Sequence, residues 1–304
     1  MSTTRVTTRA AREACVRRVG ACTRGACGVV VVNVVIVFVI MMTLADASHC
    51  GERRSASAAT AMSKVARAYV PRAFPSLASG VNRAIAETLF DDADAVASLD
   101  ERDVTHTAPA QLGHPCAQVI GAGKRCVHGH AQAYLYAPLR EDGTSAVDGD
   151  AGVAWRAEHA TCWLSCPALA RAVDALEREG GIHAIASEIE GGDIERALER
   201  VHEDTPRLRN FLIGDVAAAA VRMDAKTDFI VNKSGLIGVS LESLPQTKTW
   251  KKIKCLHAQL ADALVRGRTK NPVGALVLDR LAERGVPISG SASCHKHCGD
   301  PRSA

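Results

Sequence analysis

Apolar positions along the chain change their period once, near residue 165, and the change separates short strands from helices. Ala117 to Ile120 form a short β-type run, which Gly121 and Gly123 break. Ala133 to Ala137 (Ala-Tyr-Leu-Tyr-Ala) form another, closed by Pro138, and Ala160 to Leu164 (Ala-Thr-Cys-Trp-Leu) a third. Between them Arg140 to Gly152 reads as a polar loop with Asp142-Gly143 at a turn. The connections hold no crossover helix, so the sheet is expected to be antiparallel.

Beyond Ser165-Cys166-Pro167 the apolar residues take helical spacing: Ala168, Leu169, Ala172, Val173 and Leu176. Pro167 suits the first helical position, and Gly180-Gly181 is expected to stop the helix. Asp193 should cap another helix through Ile194, Leu198 and Val201, with a break at Pro206. Helical character then resumes through Leu208, Phe211, Leu212 and the alanines between Val216 and Val221. A further helix is predicted over Lys252 to Arg266, where Ile253, Leu256, Leu260 and Leu264 share one face. Strands first and helices afterwards predict the α+β class: a small antiparallel sheet followed by several packed helices.

The ends have a different character. Residues 1–27 form a basic leader with Arg5, Arg9, Arg12, Arg17, Arg18 and Arg24 against a single acid, Glu13, as in organelle transit peptides. Residues 28–46 hold an apolar run, Val29 to Ala45, interrupted only by Asn33. At about 1.5 Å per residue it spans roughly 26 Å, close to a bilayer core. It reads equally as a transmembrane helix tethering the protein to a membrane and as a long signal core. Basic residues flank it on both sides, so its orientation does not follow from charge. Residues 47–110 read as a linker. Within them Thr60 to Ala86 is again acid-free and targeting-like, and Met62 offers an alternative start. Asp91 to Asp103 looks like solvated chain. Chloroplast or other organelle import is the expected localisation. The folded domain is placed at 111–285, with 286–304 as a flexible Cys/His-containing tail.

Composition narrows the class without naming an activity. The 304 residues are 47% hydrophobic but only 4% aromatic, so Ala, Val, Leu and Ile must build the core. A net charge of +4 is too small to imply nucleic acid by itself. Eleven cysteines in no repeating pattern do not form a disulfide framework.

Five segments occur in order: Cys116-Ala-Gln-Val-Ile120, Trp163-Leu-Ser-Cys-Pro167, Leu176-Glu-Arg-Glu-Gly180, Lys254-Cys-Leu-His257 and Asn271-Pro-Val-Gly274. Together they resemble the domain of unknown function 501 family, found in bacteria and plastid-bearing eukaryotes. The last two segments carry most of the specificity. The resemblance implies a domain with no settled reaction.

On these motifs lie Cys116, Cys166, Cys255 and His257, and His202 and Arg209 fit a further family pattern. Cys116, Cys166, Cys255, His257 and His202 are the candidate metal ligands, for zinc or an iron–sulfur cluster, since thiolates and imidazole suit both. Their spacing is not diagnostic. If the last helix already includes residue 255, Cys255 and His257 stand about 200° apart and cannot share a metal; they can if it begins at or after them. Packing of buried thiols is the plain alternative. A second reading makes Cys166, at a helix start, the nucleophile of a cysteine-dependent enzyme with His257 or His202 as base. A third is a non-catalytic module binding RNA or protein through Lys248, Lys251, Lys252 and Lys254 beside Trp250. Cys126, His128 and His130, and the tail Cys294-His-Lys-His-Cys298, are weaker ligand clusters.

Overall fold

The computed structural model describes residues 73–114, 116, 118–142, 154–222, 225–292, 294 and 298. The basic leader, the apolar run at 29–45 and the start at Met62 lie outside the described residues. Among those described, no helix is long and apolar enough to cross a membrane.

The chain enters through α1 (Gly80–Leu89) and α2 (Ala93–Ala97), capped by Ser79 and Asp92. A π-helical turn (Asp103–Thr107) and α3 (Ala108–Leu112) follow. Strands β1 (Val119–Ala122) and β2 (Ala133–Tyr136) come next, then β3 (Leu139–Asp142), β4 (Ala154–Ala157) and β5 (Cys162–Leu164). The order β1-β2-β5 makes a three-stranded antiparallel sheet, and β3 pairs with β4 in a separate ladder. Helices then take over: α4 (Pro167–Arg178), α5 (Gly181–Ile189), α6 (Asp193–Val221), α7 (Ala225–Asp228), α8 (Thr249–Ile253), α9 (Leu256–Arg266) and α10 (Pro272–Glu283). The protein is α+β, as the change of period predicts.

Alternation along β2 explains why the sheet is buried on both faces. Ala133, Leu135 and Ala137 point into the main core with Ile120, Cys162 and the apolar stripes of α4, α9 and α10. Tyr134 and Tyr136 point the other way, onto Cys116, Val119, Ala122 and Ala131.

Several expectations change. Gly121 lies inside β1 rather than ending it, beside a bulge between Val119 and Gly121. The supposed loop after residue 139 starts as strand β3. Gly180 takes a left-handed conformation (φ 85°) and α4 ends before it, as expected, but the chain turns straight into α5. Pro206 does not break α6; Leu198, Val201, Leu208 and Leu212 hold it against the core from both sides, and the irregularity falls at Gly214 (φ 71°, ψ 166°).

From residue 73 onward the supposed linker is folded and contributes to the core. Leu89, Phe90 and Val96 are buried in the main cluster. Asp103 is 3% exposed and pairs with Arg125 at 2.6 Å, an ion pair that fastens the segment to the β1–β2 hairpin. The described part of the tail is packed as well. Val286 and Ile288 pack on the core, and Cys294 and Cys298 are buried.

The α9–α10 pair supports the site described next. Asn271 caps α10, its Oδ1 accepting from Gly274 N at 2.9 Å, and Pro272 occupies the first helical position. Asn271 Nδ2 also donates to Gln259 Oε1 (2.9 Å) and Asp262 Oδ2 (3.0 Å) on α9. Asp262 in turn pairs with buried Arg266. Gly274 sits where the two helices touch: an added Cβ would overlap the Gln259 carbonyl and lie 2.5 Å from Ala263 Cβ. Every residue of Asn-Pro-Val-Gly therefore has a packing or capping reason, Val273 being fully buried.

Candidate functional site

The site is made where the chain reverses between α8 and α9. Lys254 adopts φ 60°, ψ −46°, a conformation that costs a side-chain-bearing residue of order 1–3 kcal/mol. Two bonds hold it there: Lys254 N donates to Trp250 O at 2.9 Å and Nζ to Ile237 O at 2.7 Å. Ile237 is the other side-chain-bearing residue with positive φ among those described. The reversal delays the start of α9 to Leu256 and leaves Cys255 at the N-cap in extended conformation.

Cys255 does not cap the helix with its own sulfur. Glu177 does so from α4, its Oε1 accepting from Leu256 N at 2.5 Å. Freed from capping, Cys255 Sγ lies 3.9 Å from His257 Nδ1, and Glu177 Oε2 lies 3.4 Å from the same nitrogen. The opposite nitrogen, Nε2, faces Asp174 Oδ1 at 3.2 Å and Ala170 O at 3.2 Å. The Cys255 sulfur, then Glu177 and the Ala170 carbonyl, favour the charged imidazole against burial and lift His257 to about 9.

Glu177, Cys255 and His257 each offer one ligand atom, all within 4.8 Å of one another, and all three side chains are half-buried. Among the described residues this is the one such group of three. Gln259 ties it to the Asn-Pro-Val-Gly turn, because its Nε2 donates to Ile253 O (3.1 Å) while its Oε1 accepts from Asn271. One chain of hydrogen bonds thus joins the two most specific motifs.

Of the five candidate ligands, the structure brings together only Cys255 and His257. Cys116 lies across the sheet, its sulfur donating to His114 O (3.1 Å) and accepting from Tyr136 Oη (3.5 Å), and burial pushes its thiol up. Cys166 occupies the N-cap of α4 without a side-chain capping bond; the nearby Leu169 and Ala168 amides pull its thiol down, but burial outweighs them and raises it. That direction weighs against a reactive thiolate at Cys166. His202 is fully buried, with Nε2 3.1 Å from Lys252 O and Nδ1 unpartnered, and burial holds it down at about 4. Neither it nor Cys166 has the other within hydrogen-bonding range among the described contacts. Arg209 is buried among carbonyls, donating to Ile230, Ser234, His159 and Gly235.

The lysine cluster also comes apart. Lys252 is buried between Glu195 (2.9 Å) and Glu199 (2.5 Å), and Lys254 is spent on Ile237, leaving Lys248 exposed and Lys251 over Trp250. Glu177 is the ligand that residue type alone did not single out, although it stands inside the Leu-Glu-Arg-Glu-Gly segment. A cavity of about 440 Å³ opens elsewhere, between Asp91, Arg125, Leu264 and Arg268, and its lining holds neither Cys nor His.

No curated protein and no solved structure matches the chain. A family model does match, over residues 122–279, a stretch that contains Glu177, Cys255, His257 and the Asn271–Gly274 turn. That is more than half of the chain, and the protein accordingly belongs to DUF501, a family of proteins of unknown function.

Proposed function

We propose that Glu177, Cys255 and His257 bind a divalent transition metal of the zinc class, with a fourth coordination position left for water or a substrate. The observation that carries this is the division of the His257 ring: one nitrogen faces Cys255 and Glu177, the other a carboxylate and a carbonyl. Histidine ligands are oriented in this way, with the ring nitrogen away from the metal fixed by an outer-shell oxygen. Three mixed O, S and N ligands with a remaining position are the pattern of catalytic rather than purely structural zinc sites.

Because His257 holds its proton up to about 9, metal must displace that proton. The Cys255 thiol gives up its proton as well, so apparent affinity for Zn²⁺ should rise by at least about tenfold per pH unit from 7 towards 9. Titrating the full chain with Zn²⁺ and Co²⁺, beside Glu177→Gln, Cys255→Ser and His257→Ala, tests the reading. Sulfur-to-cobalt absorption lost in Cys255→Ser supports it; failure of the cysteine and histidine variants to alter binding sinks it.

The same geometry favours a second reading, a thiol nucleophile at Cys255 with His257 as base and Asp174 orienting the ring. It replaces Cys166 in the thiol-enzyme hypothesis. Its support is the half-exposed Cys255 at a helix start with no capping bond of its own. Stoichiometric modification of Cys255 by iodoacetamide, slowed in His257→Ala and unaffected by Zn²⁺, would favour it over metal. For the region before residue 73, the basic leader and apolar run support organelle targeting or a membrane tether; a fluorescent fusion of the full chain that stays cytosolic ends that reading.

A further inference from the structure

Four other cysteines gather about the turn end of the β1–β2 hairpin. Cys126 begins its turn, with its amide donating to His130 O at 2.9 Å. One residue past that turn's closing bridge, Gln132 O accepts from both Ser165 N (3.0 Å) and Cys166 N (3.1 Å), which seats the start of α4 beside the hairpin. The chain beyond α10 then folds back over the same place. Gln132 Nε2 donates to Ile288 O (2.6 Å), Val127 N to Ser289 O (2.8 Å), and His128 Nε2 lies 2.7 Å from Ser291 O.

This return places the tail cysteines. Cys294 N closes a turn onto Ser291 O at 3.1 Å. A methyl group added to Gly290 would meet Cys294 Sγ at 3.0 Å and Cys126 Cβ at 3.3 Å, so both residues pack over one glycine. Gln111, whose Nε2 donates to Ala131 O at 3.1 Å, also bonds the Cys298 sulfur. Ser165 Oγ, one residue before Cys166, donates to that same carbonyl at 3.3 Å.

All four thiols are free, and Cys166, Cys294 and Cys298 are buried at 5%, 8% and 3% exposure. Burial first, then the neighbouring sulfurs, push the Cys166 and Cys298 thiols up.

We infer that Cys126, Cys166, Cys294 and Cys298 form a four-thiolate site for one zinc-class cation, which clamps the chain beyond residue 285 onto the hairpin and the start of α4. Four thiols give up four protons as the divalent cation binds, leaving a complex of net charge −2. The sulfurs stand wider apart than the ligand atoms at Glu177, so binding draws the tail cysteines inward. Cys294 and Cys298 lie beyond the stretch matched by the family, and the clamp is separate from the Glu177 site.

The experiment starts from the full chain carrying Cys255→Ser and His257→Ala, which removes the Glu177 site and makes the two proposals independent. Titration with Co²⁺ should show one equivalent bound with strong sulfur-to-cobalt absorption. Adding Cys294→Ser and Cys298→Ser should abolish that absorption. No binding in the first protein overturns the proposal, as does undiminished absorption in the second. Should the four-substitution protein fail to fold, iodoacetamide labelling of the first protein, mapped by mass spectrometry, decides. Zn²⁺ should slow modification of all four cysteines at least tenfold; equal labelling with and without Zn²⁺ refutes the site. A metal-free protein with a Cys126–Cys294 disulfide after purification without reductant refutes it too.

Discussion

Gly274→Ala sets two effects of opposite sign against each other. Alanine is favoured over glycine inside a helix by about 1 kcal/mol, so an unobstructed position in the first turn of α10 would gain stability. Here the added Cβ would overlap the Gln259 carbonyl and approach Ala263 Cβ to 2.5 Å, where carbon atoms normally rest about 3.5–4.0 Å apart. The obstacle is a helix backbone, which cannot swing aside as a long side chain can, so α9 and α10 must separate by roughly 1 Å. Overpacking of this kind costs about 1–3 kcal/mol, and the upper end applies against backbone. Separation also stretches the bond from Gly274 N to Asn271 Oδ1, a cap worth about 1 kcal/mol. The net expectation is a loss of about 3 kcal/mol, or a fall in Tm of about 6–12 °C. Urea unfolding followed by far-ultraviolet circular dichroism measures it, with an unchanged m value showing that only stability moved. A neutral or stabilised Gly274→Ala protein would refute the close approach and, with it, the packing account of the Asn-Pro-Val-Gly turn.

Two further perturbations test the buried polar groups. His202 is held at about 4 when folded against an ordinary 6.5, so its contribution is intact above pH 6.5 and is lost as pH falls from 6.5 to about 4. At pH 5 the loss is about 2 kcal/mol, and unfolding free energies at pH 7 and 5 should fall by that much more in the native protein than in His202→Gln. Equal slopes would place the ring in contact with water. Arg209→Met removes donors from four backbone carbonyls and should cost about 3 kcal/mol or more even though it relieves an unpaired buried charge. A calorimetric melting point within 2–4 °C of the native protein, equivalent to about 1 kcal/mol, would show that water replaces the guanidinium.

By itself the sequence determined the class and most of the elements, because those follow from local chemistry. Period-2 alternation in Ala133–Ala137 and the helical stripe after Pro167 each have one comfortable backbone conformation, and both occur as read. Asn271-Pro-Val-Gly274 stands out only as a motif, and the capped helix that it starts is not among the elements the pattern predicts. Tertiary structure decided the rest. The acidic stretch at 91–103 looks solvated until Arg125, far along the chain, neutralises Asp103, and Pro206 reads as a break until packing on both sides holds α6 together. Cysteines 126, 166, 294 and 298 have no meaningful spacing, and Cys126 and Cys294 come together over Gly290 only because the tail pairs with a hairpin. The candidate site depended on a helix boundary: each residue of shift turns a side chain by about 100°, and Cys255 reaches His257 only because α9 starts at Leu256. What fixes that start is Glu177 capping from another helix and Lys254 held in a conformation its own sequence disfavours, and neither is a local property of the chain.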